Sequence, residues 1–412
     1  MATRTRYRVL GGIMLALGVT SLLLFVRGLD PSLLSTFRLN TGGVSSAVQL
    51  ADLQLPSLPT AAILSAVILF LGGYQIVRGF KQRSTAVLGL TILIFIFCFL
   101  TWATADKSIN LAGLLKTALL RSVPLTLGAL SGILSERAGV VNIAIEGMML
   151  AGAMTGCIVA SATGSLWLGL ITSILTGALL ALFHAILSIR YKVDQIISGV
   201  VINIFSVGIT SFISAKFLQV FGELNNSGTF PVWSIPGLAQ IPFLGGVLFE
   251  STLFTYAMYA LLVIVHVALF YTRWGLRTRA VGEHPRAADT LGINVFRTRY
   301  TAVLLSGMMA GLGGAYFTLG SVGRFDEVMT AGRGFISLAA MIFGNWNPFG
   351  AFGASLIFGF ADTLQGNLAI LRVPIPSQFL LMAPYIATMI ALAGLVGRAT
   401  PPAADGQPYE KH

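Results

Sequence analysis

The chain is a succession of apolar runs, each about as long as a bilayer is thick. They fall at 9–26, 58–77, 86–105, 112–134, 139–163, 166–189, 196–215, 252–272, 301–320, 350–367 and 376–396, with a shorter run at 334–345. A helix of about 20 apolar residues crosses the hydrocarbon core. Within that core every backbone N–H and C=O must find a partner inside the protein, which favours helices. The expected fold is therefore an all-α polytopic membrane protein of about 10–12 transmembrane helices. Composition excludes the main alternative. Only 10% of the 412 residues are charged and 55% are hydrophobic, whereas a soluble domain carries about 25% charged residues. A single soluble globule is ruled out.

If the run 334–345 crosses, twelve spans place both termini on one side; otherwise it is re-entrant. Charge sets the orientation. The net charge is +11, and its basic residues sit between apolar runs rather than in a patch for nucleic acid. With a cytoplasmic N-terminus, 17 of the 26 Lys and Arg lie in inside segments and 7 in outside ones, with Lys116 and Arg121 within a span. That bias favours cytoplasmic N- and C-termini. The opening MATRTRYR and the run 9–26 read as an uncleaved first span, because the run exceeds the apolar core of a signal peptide and no small-x-small site follows.

Two loops between spans and the C-terminal end stand out. Residues 217–250 form an outside loop rich in Gly, Pro and Asn, and residues 273–300 an inside loop with six arginines. The end, ATPPAADGQPYEKH, reads as a disordered cytoplasmic tail. The domain division is then 1–110, an N-terminal transmembrane extension with a first core span; 111–397, the main membrane domain; and 398–412, the tail. Within the main domain, 112–215 and 301–396 each open on a Gly/Ala-rich run followed by a polar break, SERAGVVN at 135–142 and GRFDEVMTAGR at 323–333. The two breaks fall on opposite sides. Inverted repeats with broken helices are a transporter arrangement.

The inside loop carries helix punctuation. Pro285 suits a first helical position after Glu283 or His284, and Gly292 suits the stop. Ala287 and Ala288 leave one side of that short helix nearly bare, with Arg286 and Asp289 beside them, a shape that fits a groove on another protein. The plainer reading is an anchor of topology.

Charges at membrane depth are costly, and they pair or line a cavity. Glu136, Arg137, Asn142 and Glu146 cluster at the first break. If 143–153 is helical, Asn142 and Glu146 share a face. That face either borders a pathway or carries a structural salt bridge from Glu146 to Arg121 or Arg137. Arg121 precedes Pro124 and is expected to contact a carbonyl freed by the proline. Asp362 is a pathway candidate by its charge, Asn203 a helix-to-helix tie, and Trp346 an interfacial anchor. Cys98, Cys157 and the four histidines show no disulfide or metal spacing, so no metal site is expected.

Three stretches carry a resemblance. GLRTRAVGEHPRAADTLGIN at 275–294 resembles the cytoplasmic coupling loop of ABC importer permeases of the branched-chain amino acid, simple sugar and nucleoside branch. LSERAGVVNIAIEGMMLAGA at 134–153 is similar to nucleoside-type permeases that work with basic-membrane-protein-like lipoproteins, and FDEVMTAGRGFISLAAMIFGNWNPFGAFGASLIFG at 325–359 resembles the same family's C-terminal part. The resemblance covers about 112–396 and leaves the two earliest spans as an extension. It implies a permease subunit in the cell membrane, working with a second permease subunit, two ATPase subunits and an external binding lipoprotein. It further implies that Glu283, Pro285, Arg286, Ala287, Ala288, Asp289 and Gly292 couple to the ATPase. The chain has no G-x-x-x-x-G-K-[ST], so ATP would be bound by the partner and this chain would carry no cofactor and no catalysis. Nucleosides are the expected cargo. Simple sugars or branched-chain amino acids on the same machine, or an ion-coupled secondary transporter, are the alternatives.

Overall fold

A computed structural model describes residues 2–42, 49–371, 382 and 400–411 of the protein. The last apolar run, 376–396, lies outside the described residues except for Met382, as does Arg398. The chain divides into two compact units. The first comprises residues 1–116, 237–247 and 364–381, and the second residues 117–236, 248–363 and 382–412.

In the first unit, α1 (Ala2–Ser21), α2 (Ser57–Val77) and α3 (Ser84–Ala103) are long helices. They are joined to a small sheet of β1 (Leu34–Arg38), β2 (Leu53–Pro56) and β3 (Ser108–Asn110). Strand β1 is central, antiparallel to β2 and parallel to β3. The Ser35 hydroxyl fixes the sheet to the helices, bonding the Ser57 hydroxyl and donating to the carbonyl of Thr101, both at 2.7 Å. Phe25 packs on Phe95, Phe99 and Trp102. The outward faces of α2 and α3 stay apolar, with Ile63, Phe70, Val77 and Leu93 exposed, as suits helices bathed in lipid.

The second unit contains most of α4 (Leu111–Glu136), then α5 (Ile145–Thr163), α6 (Leu166–Ala185) and α7 (Gln195–Ile213). After β4 (Val232–Ser234), the chain passes through α8 (Leu244–Leu248), which belongs to the first unit up to residue 247, and returns to the second at β5 (Glu250–Thr252), α9 (Leu253–Tyr271), α10 (Arg273–Glu283) and α11 (Pro285–Thr290). The chain continues through α12 (Val295–Phe317), α13 (Arg333–Phe343) and α14 (Pro348–Ile370). Helices α5, α6 and α12 meet through glycine. A Cβ on Gly177 would lie 2.2 Å from the Gly307 carbonyl oxygen, and one on Gly314 would lie 2.1 Å from that of Met149. Small residues let membrane helices approach this closely.

Nine helices among the described residues are long and apolar enough to cross a membrane, against the about 10–12 expected, of whose twelve runs 376–396 lies outside the described residues but for Met382. Two of the differences have physical causes. Helix α14 is long, but Asp362, Gln365 and Asn367 interrupt its apolar character. Helix α13 has 11 residues, about 16 Å at 1.5 Å per residue, so it cannot cross a core of about 30 Å. Its length is that of the re-entrant alternative. Its N-terminus meets the first turn of α5, and its far end leads to Trp346, which bonds Glu136 at the end of α4.

The tail departs from the reading of 398–412 as disordered. Residues 400–411 run along α10 and α11: Ala404 N–H donates to the Gly282 carbonyl at 2.9 Å and Ala403 N–H to Glu283 Oε2 at 3.1 Å. A polar composition marked it as solvated, but Ala404 and Tyr409 are buried.

Candidate functional site: a polar crossing of two broken helices

The two polar breaks meet inside the second unit. Helix α5 begins at Ile145 and α13 at Arg333, so each break ends in a helix N-terminus with unsatisfied N–H groups. The Glu146 carboxylate serves the second of these. Its Oε1 accepts from Thr330 Oγ1 at 2.6 Å and Gly332 N–H at 2.8 Å, and its Oε2 from Gly334 N–H at 2.6 Å. The N-terminus of α5 is served by amides: Asn203 Oδ1 accepts from Gly147 N–H at 2.8 Å, and Asn142 Oδ1 from Ala144 N–H at 3.1 Å. Asn203 also donates to the Ile143 carbonyl at 2.9 Å, the helix-to-helix tie expected of it.

This arrangement corrects two expectations. Glu146 bonds neither Arg121 nor Arg137; three neutral donors and a helix dipole hold its charge. Nor do Asn142 and Glu146 share a helical face. The helix starts after Asn142, whose Nδ2 turns to Ser306 Oγ of α12 at 2.9 Å.

Arg121 of α4 pairs with Asp362 of α14 instead of a carbonyl freed by Pro124, and Arg333 of α13 lies 4.0 Å from the same carboxylate. The Arg333 guanidinium also lies over the Phe317 ring, 5.5 Å from its centre. Arg121 and Asp362 side chains keep 39% and 34% of their surface exposed. A charged group on a membrane helix cannot face lipid cheaply, so this cluster marks a watery or protein-covered face.

Glu136 and Arg137 end α4 at another polar contact. Trp346 Nε1 donates to Glu136 Oε2 at 2.6 Å, and Arg137 Nη2 donates to the Trp346 carbonyl at 3.0 Å. Trp346 is therefore a buried partner, 5% exposed, and not the interfacial anchor its position suggested. The Asp405 carboxyl of the tail faces that of Glu136. Burial pushes the Asp405 carboxyl up to about 7, although the neighbouring Glu136 carboxyl, the Gly406 amide and the Arg299 charge pull it down. The turn that leaves α4 needs Gly139, whose φ is +80°; a Cβ there would also meet Arg299 Nη2 at 3.0 Å.

The short helix α11 forms where punctuation placed it, with Pro285 at its start and Gly292 at φ +81° just beyond its end. Glu283, Arg286 and Ala287 are exposed and Asp289 is half-buried. Ala288 is not part of a bare outer face: it is 2% exposed and packs with Val281, Val295 and Tyr409. The apolar group that does stand free is Leu291, 82% exposed. Burial, and after it a hydrogen bond to the Asp289 carboxylate, raise the Tyr409 phenol above its usual range. Among the described residues, no three His, Cys, Asp or Glu side chains gather to hold a metal ion.

A family model described as branched-chain amino acid transport system / permease component matches residues 114–396. The chain belongs to this permease family. It is 44% identical over 305 residues to the guanosine ABC transporter permease protein NupQ of Bacillus subtilis, covering 71% of this chain and 95% of that protein. To the nucleoside ABC transporter permease protein NupC of Lactococcus lactis subsp. cremoris it is 41% identical over 303 residues, again 71% and 95%. With the putative glucose ABC transporter permease protein TsgC13 of Haloferax volcanii it shares 38% identity over 62% of this chain and 77% of that one. No solved structure matches it.

Glu136, Arg137, Asn142, Glu146 and Asp362 were legible as isolated polar groups in the permease's apolar sequence. Their partners were not. Thr330, Gly332 and Gly334 lie more than 180 residues beyond Glu146, and Asp362 lies 241 beyond Arg121. A usable signal existed for Arg333 alone: a cation following Gly332 at the start of a short apolar run.

Proposed function

We propose that this permease forms the membrane pathway of an ATP-driven importer and that its cargo is a nucleoside. The observation that carries the cargo is the likeness to permeases named for guanosine and for nucleosides, at 44% and 41% identity over 95% of each. The pathway runs past the crossing of the two breaks. There Arg121, Asp362 and Arg333 offer both donors and acceptors on a partly exposed face, which suits a neutral solute rich in hydroxyls and ring nitrogens. Glu146, Asn142, Glu136 and Arg137 hold the helices that border it.

ATP is bound and hydrolysed on a partner, since this sequence has no phosphate-cradling G-x-x-x-x-G-K-[ST]. The partner grips the exposed side of α10 and α11, through Glu283, Pro285, Arg286, Ala287, Asp289 and the free Leu291. Both termini then face the cytoplasm, in line with the charge bias, and an external binding lipoprotein delivers solute on the opposite side. A second permease subunit completes the pathway.

The test is uptake of radiolabelled guanosine, glucose and leucine by cells carrying the permease with its genomic ATPase and binding-protein neighbours. Guanosine or another nucleoside is expected to enter in an ATP-dependent manner. Glucose or leucine uptake without nucleoside uptake would overturn the cargo, and gradient-driven uptake without the ATPase would overturn the mechanism.

A further inference from the structure

The tail has no part in the function so far, yet it is held by contacts to four elements. Its Ala404 N–H bonds α10 through the Gly282 carbonyl. Arg299 of α12, 1% exposed, donates from Nη1 to the Gln407 carbonyl at 3.0 Å. Asp405 faces Glu136 at the end of α4, and Tyr409 is buried on Ala288 of α11. Outside these elements, Glu410 pairs with Lys192. Pinned at each of these points, the segment is a fixed wall and not a loose end.

A groove of about 600 Å³ lies between this wall and α11. One side is Glu283, Pro285, Arg286 and Ala287; the other includes Gln407, Pro408 and Glu410. Of the tail residues that line it, Ala403, Gln407, Pro408 and Glu410 are exposed, and Ala404 and Tyr409 are buried.

We infer that residues 400–411 form the second half of the surface that receives the ATPase, so that the partner is gripped by α11 and the tail together. This rests on the docking reading above. Any chain seated on the Pro285–Ala287 side of α11 occupies the groove, and the groove's opposite wall is the tail. The occupant is the ATPase because the surface is continuous with α11 and with Leu291, the one strongly exposed apolar side chain at that helix's end. A groove carrying Glu283, Arg286 and Glu410 is also too charged to face lipid. A partner side chain of either sign finds a counter-charge there, with the longer Lys and Arg stems able to cover the Pro408 ring.

The experiment places a photoreactive benzoyl-phenylalanine at 287, at 408, or at the exposed Val220 as control, in the full importer in native membranes. Adducts of permease and ATPase are expected from 287 and 408 and not from 220. An adduct from 287 without one from 408 overturns the inference and leaves docking on α11 standing. No adduct from either overturns docking itself. A second measurement uses Pro408→Arg, an exposed change that removes none of the tail's contacts. ATPase recovered with the permease is expected to fall about tenfold, the scale of losing one well-packed interface anchor, with unchanged permease in the membrane. Full recovery would also overturn the inference, as would a small nucleotide or lipid protecting position 408 in the absence of ATPase.

Discussion

The Glu146 carboxylate accepts the backbone N–H of Gly334 at 2.6 Å, joining the first turn of α5 to the first turn of α13 across 188 residues. This single side chain closes the two broken helices on each other. The side chain is nearly inaccessible, 5% exposed, so water cannot replace it when it is removed. Glu146→Ala would strand the N–H groups of Gly332 and Gly334 and the Thr330 hydroxyl, at about 1–3 kcal/mol for each buried donor left unmade. A loss of roughly 3 kcal/mol or more is expected, read as a lower unfolding temperature in detergent together with lost uptake. Glu146→Gln keeps one acceptor oxygen and should retain part of the stability. An unshifted melt for Glu146→Ala would refute the cap.

Helix α6 passes α12 with a Gly177 Cβ position 2.2 Å from the Gly307 carbonyl oxygen. Gly177→Ala must push these backbones apart, and overpacking of this kind costs about 1–3 kcal/mol. Gly208 is the control, because a Cβ there meets nothing within 4 Å. Gly208→Ala should leave the melting temperature unchanged. Equal melts for the two variants would show that the helices separate freely.

The sequence reading reached the elements whose signal is local. Apolar length located nine long apolar helices among the twelve runs, Pro285 and Gly292 bounded α11, and the two breaks at 135–142 and 323–333 both interrupt helices as their polarity implied. What it missed is set by long-range packing. Asn142 looked helical because four residues separate it from Glu146, but its side chain caps α5 from outside. Ala288 looked exposed because small residues were read as a bare face, and it is covered by Tyr409, which only the folded tail brings there. Trp346 looked interfacial from composition, and the buried Glu136 acceptor that holds it lies 210 residues away. The tail itself was misread because polar, proline-containing sequence normally cannot bury enough surface to order, while here a pre-built surface of α10, α11 and α12 supplies the apolar partner.

Asp362 neutralises Arg121 and approaches Arg333, so removing it leaves two guanidiniums side by side on the proposed pathway. Asp362→Ala should lower uptake by about tenfold, equivalent to a coupling of 1–2 kcal/mol. Partial exposure of the pair screens the effect on stability more than on transport, so membrane levels should stay near wild type. Arg121→Asp combined with Asp362→Arg restores the pair with its polarity reversed. Recovery of uptake in the double variant is expected if the pair's attraction is what matters. Two single losses that simply multiply in the double variant would show that the residues act separately.

The tail's grip should depend on pH through Asp405. Its carboxyl has an ordinary value of 3.8 and is raised to about 7 by burial where the tail is packed. The packed tail therefore binds a proton more tightly than a released one, and the stabilisation is whole below pH 3.8 and lost as pH rises through about 7. Burial is the largest influence on Asp405; the facing Glu136 carboxyl and Arg299 guanidinium both favour its ionised form and offset part of that rise. Backbone amides of 403–409 should exchange with deuterium faster at pH 8 than at pH 6, once the intrinsic base dependence of exchange is divided out. Asp405→Asn keeps a hydrogen-bonding group that cannot ionise, and should hold the tail equally at both pH values. Protection that increases from pH 6 to pH 8 in the wild-type protein would reverse the sign and refute the raised Asp405 carboxyl.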